Sequence, residues 1–174
     1  MTLAILVIFA CLFLPAAFFL LGKGEPKGTG AVVAFVAAAA ILGGILQIVV
    51  FKDAWVGAAL MSFGILFGTL AYVLLAGVDD LRSVGNVSLV VAIICAVYAL
   101  TYFTTGPLVD GKAAGAVPYF GFCFLMYAIL TFLIFLFTYG KVSAALIAWG
   151  LIIVMVLGLW VPAFMLMVKG ALPF

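Results

Sequence analysis

Residues 30–51 read GAVVAFVAAAAILGGILQIVVF, and residues 54–77 read AWVGAALMSFGILFGTLAYVLLAG. Only Lys52 and Asp53 stand between them. Neither stretch holds an Asp, Glu, Lys, Arg or His, and each matches the roughly 20 residues that a helix needs to cross a bilayer. Two such stretches joined by a two-residue turn are antiparallel neighbours. They are read as helices because an open sheet in lipid leaves backbone groups unpaired. Barrel strands would be shorter and would alternate.

The pattern continues outward in both directions. The charges are Lys23, Glu25, Lys27, Lys52, Asp53, Asp79, Asp80, Arg82, Asp110, Lys112, Lys141 and Lys169. They fall in short clusters or near the end, and the apolar stretches between them predict six spans: 2–22, 30–51, 54–77, 85–104, 117–138 and 143–168. With 71% hydrophobic and 7% charged residues, against about 25% charged in a soluble domain, little is left to build anything outside the membrane. The fold class is therefore an all-α integral membrane protein. Residues 1–174 form a single six-helix transmembrane domain whose partner is the lipid bilayer. Residues 2–22 lack a basic leader and run too long for a signal-peptide core, so they count as the first span. The net charge of +2 is small and scattered, which excludes nucleic acid as a partner. The charged turns near residues 25, 80 and 141 recur at about 55 to 60 residues, a spacing that suggests three helical hairpins in series.

The chemistry inside the spans is sparse. Without histidine no Ser–His or Cys–His pair can be assembled. All five acids lie in loops, and Cys11, Cys95 and Cys123 are isolated in apolar stretches without metal-type spacing. No catalytic residue, metal site or cofactor is expected, and the chain is not read as an enzyme. Pumps and coupled transporters usually carry ionisable residues inside their spans. Their absence here points to passive transport and excludes a histidine-based pH switch.

The neutral polar residues are mostly Ser, Thr and Tyr. In membrane helices, Ser and Thr commonly bond back to their own backbone, and Tyr commonly anchors at the interface. Tyr72 and Tyr127 sit deeper and are candidates for a lumen. Two aromatic stripes fall at helical spacing, Phe9 with Phe13, and Phe120, Phe124 and Tyr127. Such stripes serve packing or lipid contact, or else they line a narrow aromatic slot. A slot of that kind suits planar neutral solutes, because a few hydroxyls or carbonyls offset the roughly 2–7 kcal/mol cost of desolvating an amide. Ions would pay far more.

Four segments bear a resemblance to the AmiS/UreI family of bacterial amide transporters and urea channels. They are Lys23-Gly24-Glu25-Pro26-Lys27 with Thr29 and Ala31; Leu66-Phe67-Gly68 with Tyr72; Asp80-Leu81-Arg82 followed by residues 88–93, SLVVAI; and Trp149 with Trp160-Val161-Pro162-Ala163. They run nearly the whole chain in order. The resemblance implies six helices as three hairpins around a pore within each protomer, and a homo-hexameric ring in a bacterial inner membrane. It also implies pore-lining roles for Leu6, Phe9, Phe13, Phe67, Ala71, Phe120, Phe124, Tyr127, Leu130 and Thr131. Val154, also counted as pore-lining, falls where the urea channel has a glutamate, Ala34 where the family has an asparagine, and Phe120, Phe124, Tyr127 and Thr131 where the urea channel's fifth helix has tryptophans. Histidine-rich outer loops are missing.

Residues and resemblance together predict a passive channel for small neutral amide-like solutes such as urea and short aliphatic amides, without acid gating. Two other readings stay open: a channel for a less polar small solute, and a non-transporting membrane scaffold.

Overall fold

The computed structural model describes residues 2–109 and 112–173. Asp110, one of the loop charges, lies outside the described residues. The chain forms α1 (Thr2–Leu20), α2 (Pro26–Val49), α3 (Ala54–Ala76), α4 (Arg82–Thr104), α5 (Pro118–Thr138), α6 (Ala144–Val154) and α7 (Val161–Lys169). A π-helical segment, Met155–Trp160, joins α6 to α7 in one continuous rod. A two-residue antiparallel ribbon, β1 (Leu108–Val109) with β2 (Lys112–Ala113), decorates the loop between α4 and α5. By length and composition, α2, α3, α4, α5 and the rod from Ala144 to Lys169 can each cross a membrane, while α1 is a shorter apolar helix. Large apolar side chains such as Phe35, 79% exposed, stand on the outer surface, as a bilayer solvent requires.

The helix ends follow local chemistry. α2 starts at Pro26, ahead of the expected residue 30, because Glu25 caps it. The Glu25 carboxylate accepts from the Gly28 N–H at 2.5 Å and the Lys27 N–H at 2.7 Å, and Pro26 occupies a first-turn position that needs no N–H. These backbone bonds, Gly28 first, hold the Glu25 carboxyl below its usual range. At the turn between α2 and α3, Lys52 adopts a left-handed φ of 57°. Asp53 then accepts from the Val56 N–H at 2.9 Å and caps α3.

The closest helix pairs are α2 with α3 and α4 with α5, and α1 lies against α6. The helices joined at the charged turns near residues 25, 80 and 141 also touch, α1 with α2, α3 with α4 and α5 with α6, but less extensively. Backbone approach decides the pairing. A Cβ on Gly44 would lie 2.9 Å from the Gly57 carbonyl oxygen, and one on Gly57 would lie 2.9 Å from the Gly44 carbonyl oxygen. A Cβ on Gly64 would press into Ile41 at 2.5 Å. Between α4 and α5, Gly121 leaves room for the Phe103 ring, which a Cβ would meet at 2.8 Å. Small residues let membrane helices approach closely, and here they lie opposite one another across the α2–α3 seam. One buried cluster then draws side chains from every helix, including Phe9, Phe63, Val91, Tyr127, Ile147 and Ala163.

Gly57→Ala is expected to destabilise the protein by about 1–3 kcal/mol through overpacking. Gly68→Ala, whose added methyl meets nothing within 4 Å, should stay within about 0.5 kcal/mol of the wild type. Thermal unfolding in one detergent checks both.

Candidate functional site

The site begins with a fault in the last rod. The Val161 N–H bonds the Val156 carbonyl, one residue further back than in an α-helix. The Leu157 carbonyl thereby loses its usual donor. The next donor along the chain would be residue 162, a proline without an N–H. The Gly158 carbonyl loses its ordinary i+4 donor to the same proline. Orphaned carbonyls in a membrane interior are costly, and two tyrosines of α5 satisfy them. The Tyr119 hydroxyl donates to the Leu157 carbonyl at 2.7 Å, and the Tyr127 hydroxyl donates to the Gly158 carbonyl at 2.7 Å. A Cβ on Gly158 would sit 3.1 Å from the Tyr127 hydroxyl oxygen and crowd this bond.

Two cavities meet at this point. The larger, about 350 Å³, runs from the middle of the bundle to the loop residues Gly77, Val78 and Asp79. The smaller, about 130 Å³, extends toward the opposite end, along Ile5, Val56, Tyr102 and Phe120. Among the described residues, Phe63 and Tyr127 are the only side chains common to both linings. Their rings meet edge to face, with centroids 5.7 Å apart and planes at 80°. Phe9 packs edge-on against Phe63 at 5.8 Å and Phe67 at 5.4 Å. Aromatic pairs prefer this geometry, so the rings brace one another in a partition between the cavities.

Most of the expected positions converge here. Leu6, Phe9, Phe120 and Phe124 line the smaller cavity. Phe13, Phe67, Leu130 and Thr131 line the larger. Tyr127 touches both. Ala71 and Val154 are buried in the helix packing and line neither cavity. Tyr72 is a correction: it is 67% exposed on the outside of the bundle. It follows Phe67 by five residues, which turns it about 140° around α3. Phe63 was missed although it lies four residues before Phe67, on the same helix face. The Tyr127–Gly158 bond had no sequence signal beyond Pro162.

The polar groups of the linings are largely committed. Tyr98 donates to the Trp55 carbonyl at 2.6 Å, and its ring stacks on Trp55 with centroids 4.0 Å apart. Thr131 donates to the Tyr127 carbonyl at 2.7 Å, and Thr138 to the Phe135 carbonyl at 2.8 Å. At the mouth of the larger cavity, beside Asp79, Arg82 and Asp80 form an ion pair at 2.6 Å. The Arg82 hydrogen bonds hold the Asp80 carboxyl down at about 2. Because the folded value is depressed, this contact persists above the ordinary carboxylate range and is lost as pH falls through about 2. Among the described residues, no group of three or more His, Cys, Asp or Glu side chains could hold a metal. Nor does any nucleophile–base pair line a cavity.

Residues 1–170 match the description "AmiS/UreI family transporter". The chain belongs to the AmiS/UreI family. Two solved structures share its fold. The chain is 22% identical to the Helicobacter pylori urea channel solved by electron cryomicroscopy in a closed state, with a TM-score of 0.82 over 99% of this chain and 100% of that one. It is 20% identical to the crystal structure of the urea channel from the same organism, with a TM-score of 0.81 over 98% and 99% of the two chains. No curated protein sequence is similar enough to add a further relative. The AmiS/UreI family is one of transporters, so this chain is a multi-pass membrane transporter and not an enzyme, as its residues led one to expect.

Phe63→Ala should fuse the two cavities in a newly determined structure of the variant. It should also cost about 3–5 kcal/mol of stability, as large-to-small changes at buried aromatic sites do.

Proposed function

We propose that this AmiS/UreI protein is a passive channel for small neutral amide-like solutes, urea and short aliphatic amides among them. The observation that carries the reading is the pair of cavities that extend from opposite ends of the bundle and share, among the described residues, Phe63 and Tyr127. The solute path runs through both cavities, and the Phe63–Tyr127 contact is its constriction. The path lies within one protomer, in a single domain spanning residues 1–174, and six protomers form a ring in a bacterial inner membrane. The Helicobacter pylori proteins of similar fold are named as urea channels, which supports the solute class and the bacterial setting.

The aromatic lining supports this selectivity. Flat rings exclude hydrated ions, and a planar amide needs only a few partners to offset roughly 2–7 kcal/mol of desolvation. Pore selectivity of this sort rests on diameter and lining groups. With no histidine in the sequence, the channel is not acid-gated between pH 5 and 8, where an unperturbed imidazole would titrate. A second reading has its own support. Most of the lining side chains are apolar, with Thr29, Tyr102 and Cys123 among the few polar exceptions, and buried Val154 adds no charge. A solute less polar than urea fits that surface.

Stopped-flow light scattering on proteoliposomes tests both readings. Urea and acetamide should equilibrate faster than in empty vesicles, at equal rates at pH 5 and pH 7. Control rates for both, with faster entry of propionamide or butyramide, would favour the less polar cargo. Control rates for every solute would overturn the channel. Tyr127→Ala and Phe67→Ala should raise butyramide entry relative to acetamide, and Phe13→Trp should lower it. Unchanged selectivity in all three would place the path elsewhere.

A further inference from the structure

The junction of the two cavities is chemically one-sided. Tyr127 has given its hydroxyl proton to the Gly158 carbonyl, Tyr98 its own to the Trp55 carbonyl, and Thr131 its own to the Tyr127 carbonyl. These hydroxyls keep lone pairs but offer no spare proton. A solute at the junction therefore meets acceptors. The strongest of them is the Gly158 carbonyl, which no α-helical donor serves because residue 162 is proline. Gly158 lines the smaller cavity, while Leu157, whose carbonyl Tyr119 holds, lines neither.

We infer that the Gly158 carbonyl is the solute-recognition acceptor of the path, reading an amide-type N–H, and that the Tyr127 hydroxyl occupies its place until solute arrives. This deepens the channel reading and rests on it. The side-chain O–H and a solute N–H are interchangeable partners for one carbonyl, so the exchange conserves the count of hydrogen bonds. The solute needs no water and no charged side chain at its most desolvated point. The Tyr127 hydroxyl also links the Phe63–Tyr127 partition to the fault in the rod, so exchange at Gly158 unties the ring that closes the path. Recognition then depends on the solute's donor. A carbonyl-only molecule of the same shape can accept the Tyr127 O–H but brings no donor to the Gly158 carbonyl, which it leaves unpaired.

The chain offers a direct probe that does not depend on flux. Only two Gly–Leu pairs occur, Gly150–Leu151 and Gly158–Leu159. Protein labelled with carbonyl-13C glycine and 15N leucine thus gives two paired carbonyl signals in solid-state NMR of membranes. The one that moves in Tyr127→Phe is Gly158. Titration with acetamide should move that signal in the wild type. In Tyr127→Phe its midpoint should come about fivefold lower, because a competing hydrogen bond worth about 1 kcal/mol is gone. N,N-dimethylacetamide, which has no N–H, should leave the signal in place. Tyr119→Phe, which loosens the same rod one residue away, should leave the acetamide midpoint unchanged.

An unmoved Gly158 signal in the wild type and in Tyr127→Phe overturns the proposal. So does an equal response to the dimethylated amide, or an equal gain in Tyr119→Phe. Flux no faster than empty vesicles, with the Gly158 signal still responding only to N–H donors, overturns the channel reading and upholds the recognition site.

Discussion

Hydrocarbon offers no partner to a backbone N–H or C=O, so every such group inside a bilayer must find one in the protein. Regular helices meet that demand along most of this chain. The rod from Ala144 to Lys169 does not, because the Val161 N–H reaches back to Val156 and residue 162 is a proline. The carbonyls of Leu157 and Gly158 fall to Tyr119 and Tyr127. Those two bonds tie α5 to the last rod, and the second holds the Tyr127 ring in position. The Phe63 contact and the partition between the cavities follow from that ring's position.

Close helix packing makes the rest possible. Gly44, Gly57 and Gly64 bring α2 and α3 into near backbone contact. Phe63 and Phe67 project from α3 toward the interior and meet Phe9 of α1. The interior is held by shape and by aromatic edges, with few polar groups. Tyr98, Tyr127 and Thr131 donate to nearby carbonyls, so those hydroxyls offer the cavities acceptors without buried charge. Away from the Asp79 mouth, an interior of this kind holds no charged side chain with which to neutralise an ion. The charged loop residues act at the ends: Glu25 and Asp53 cap helices, and Asp80 pairs with Arg82 beside the larger mouth.

Much of this was legible in the residues. Charge-free stretches of helix length gave the helices to within a few residues, because bilayer thickness and backbone satisfaction leave no alternative. The Phe9–Phe13 and Phe120–Phe124–Tyr127 stripes named side chains that do line the cavities, because a face of a helix is set by 3.6-residue periodicity alone. Tyr72 failed the same test. It lies four residues before the end of α3, and its angle around that helix places it 67% exposed on the outside. The spacing of the charged turns suggested three hairpins, but such spacing records helix length and carries no information about which helices approach closest.

The sequence by itself determined that the chain lives in a membrane and that its spans carry no histidine and almost no charge. These are consequences of residue type and helix length, and they need no partner in space. Only the tertiary structure decided that Phe63 faces Tyr127, that two cavities share those rings, and that the carbonyl freed near Pro162 is held by a hydroxyl 31 residues earlier in the chain. That bond joins two helices whose rotation and register depend on side-chain packing across the whole bundle. No local pattern encodes such a contact.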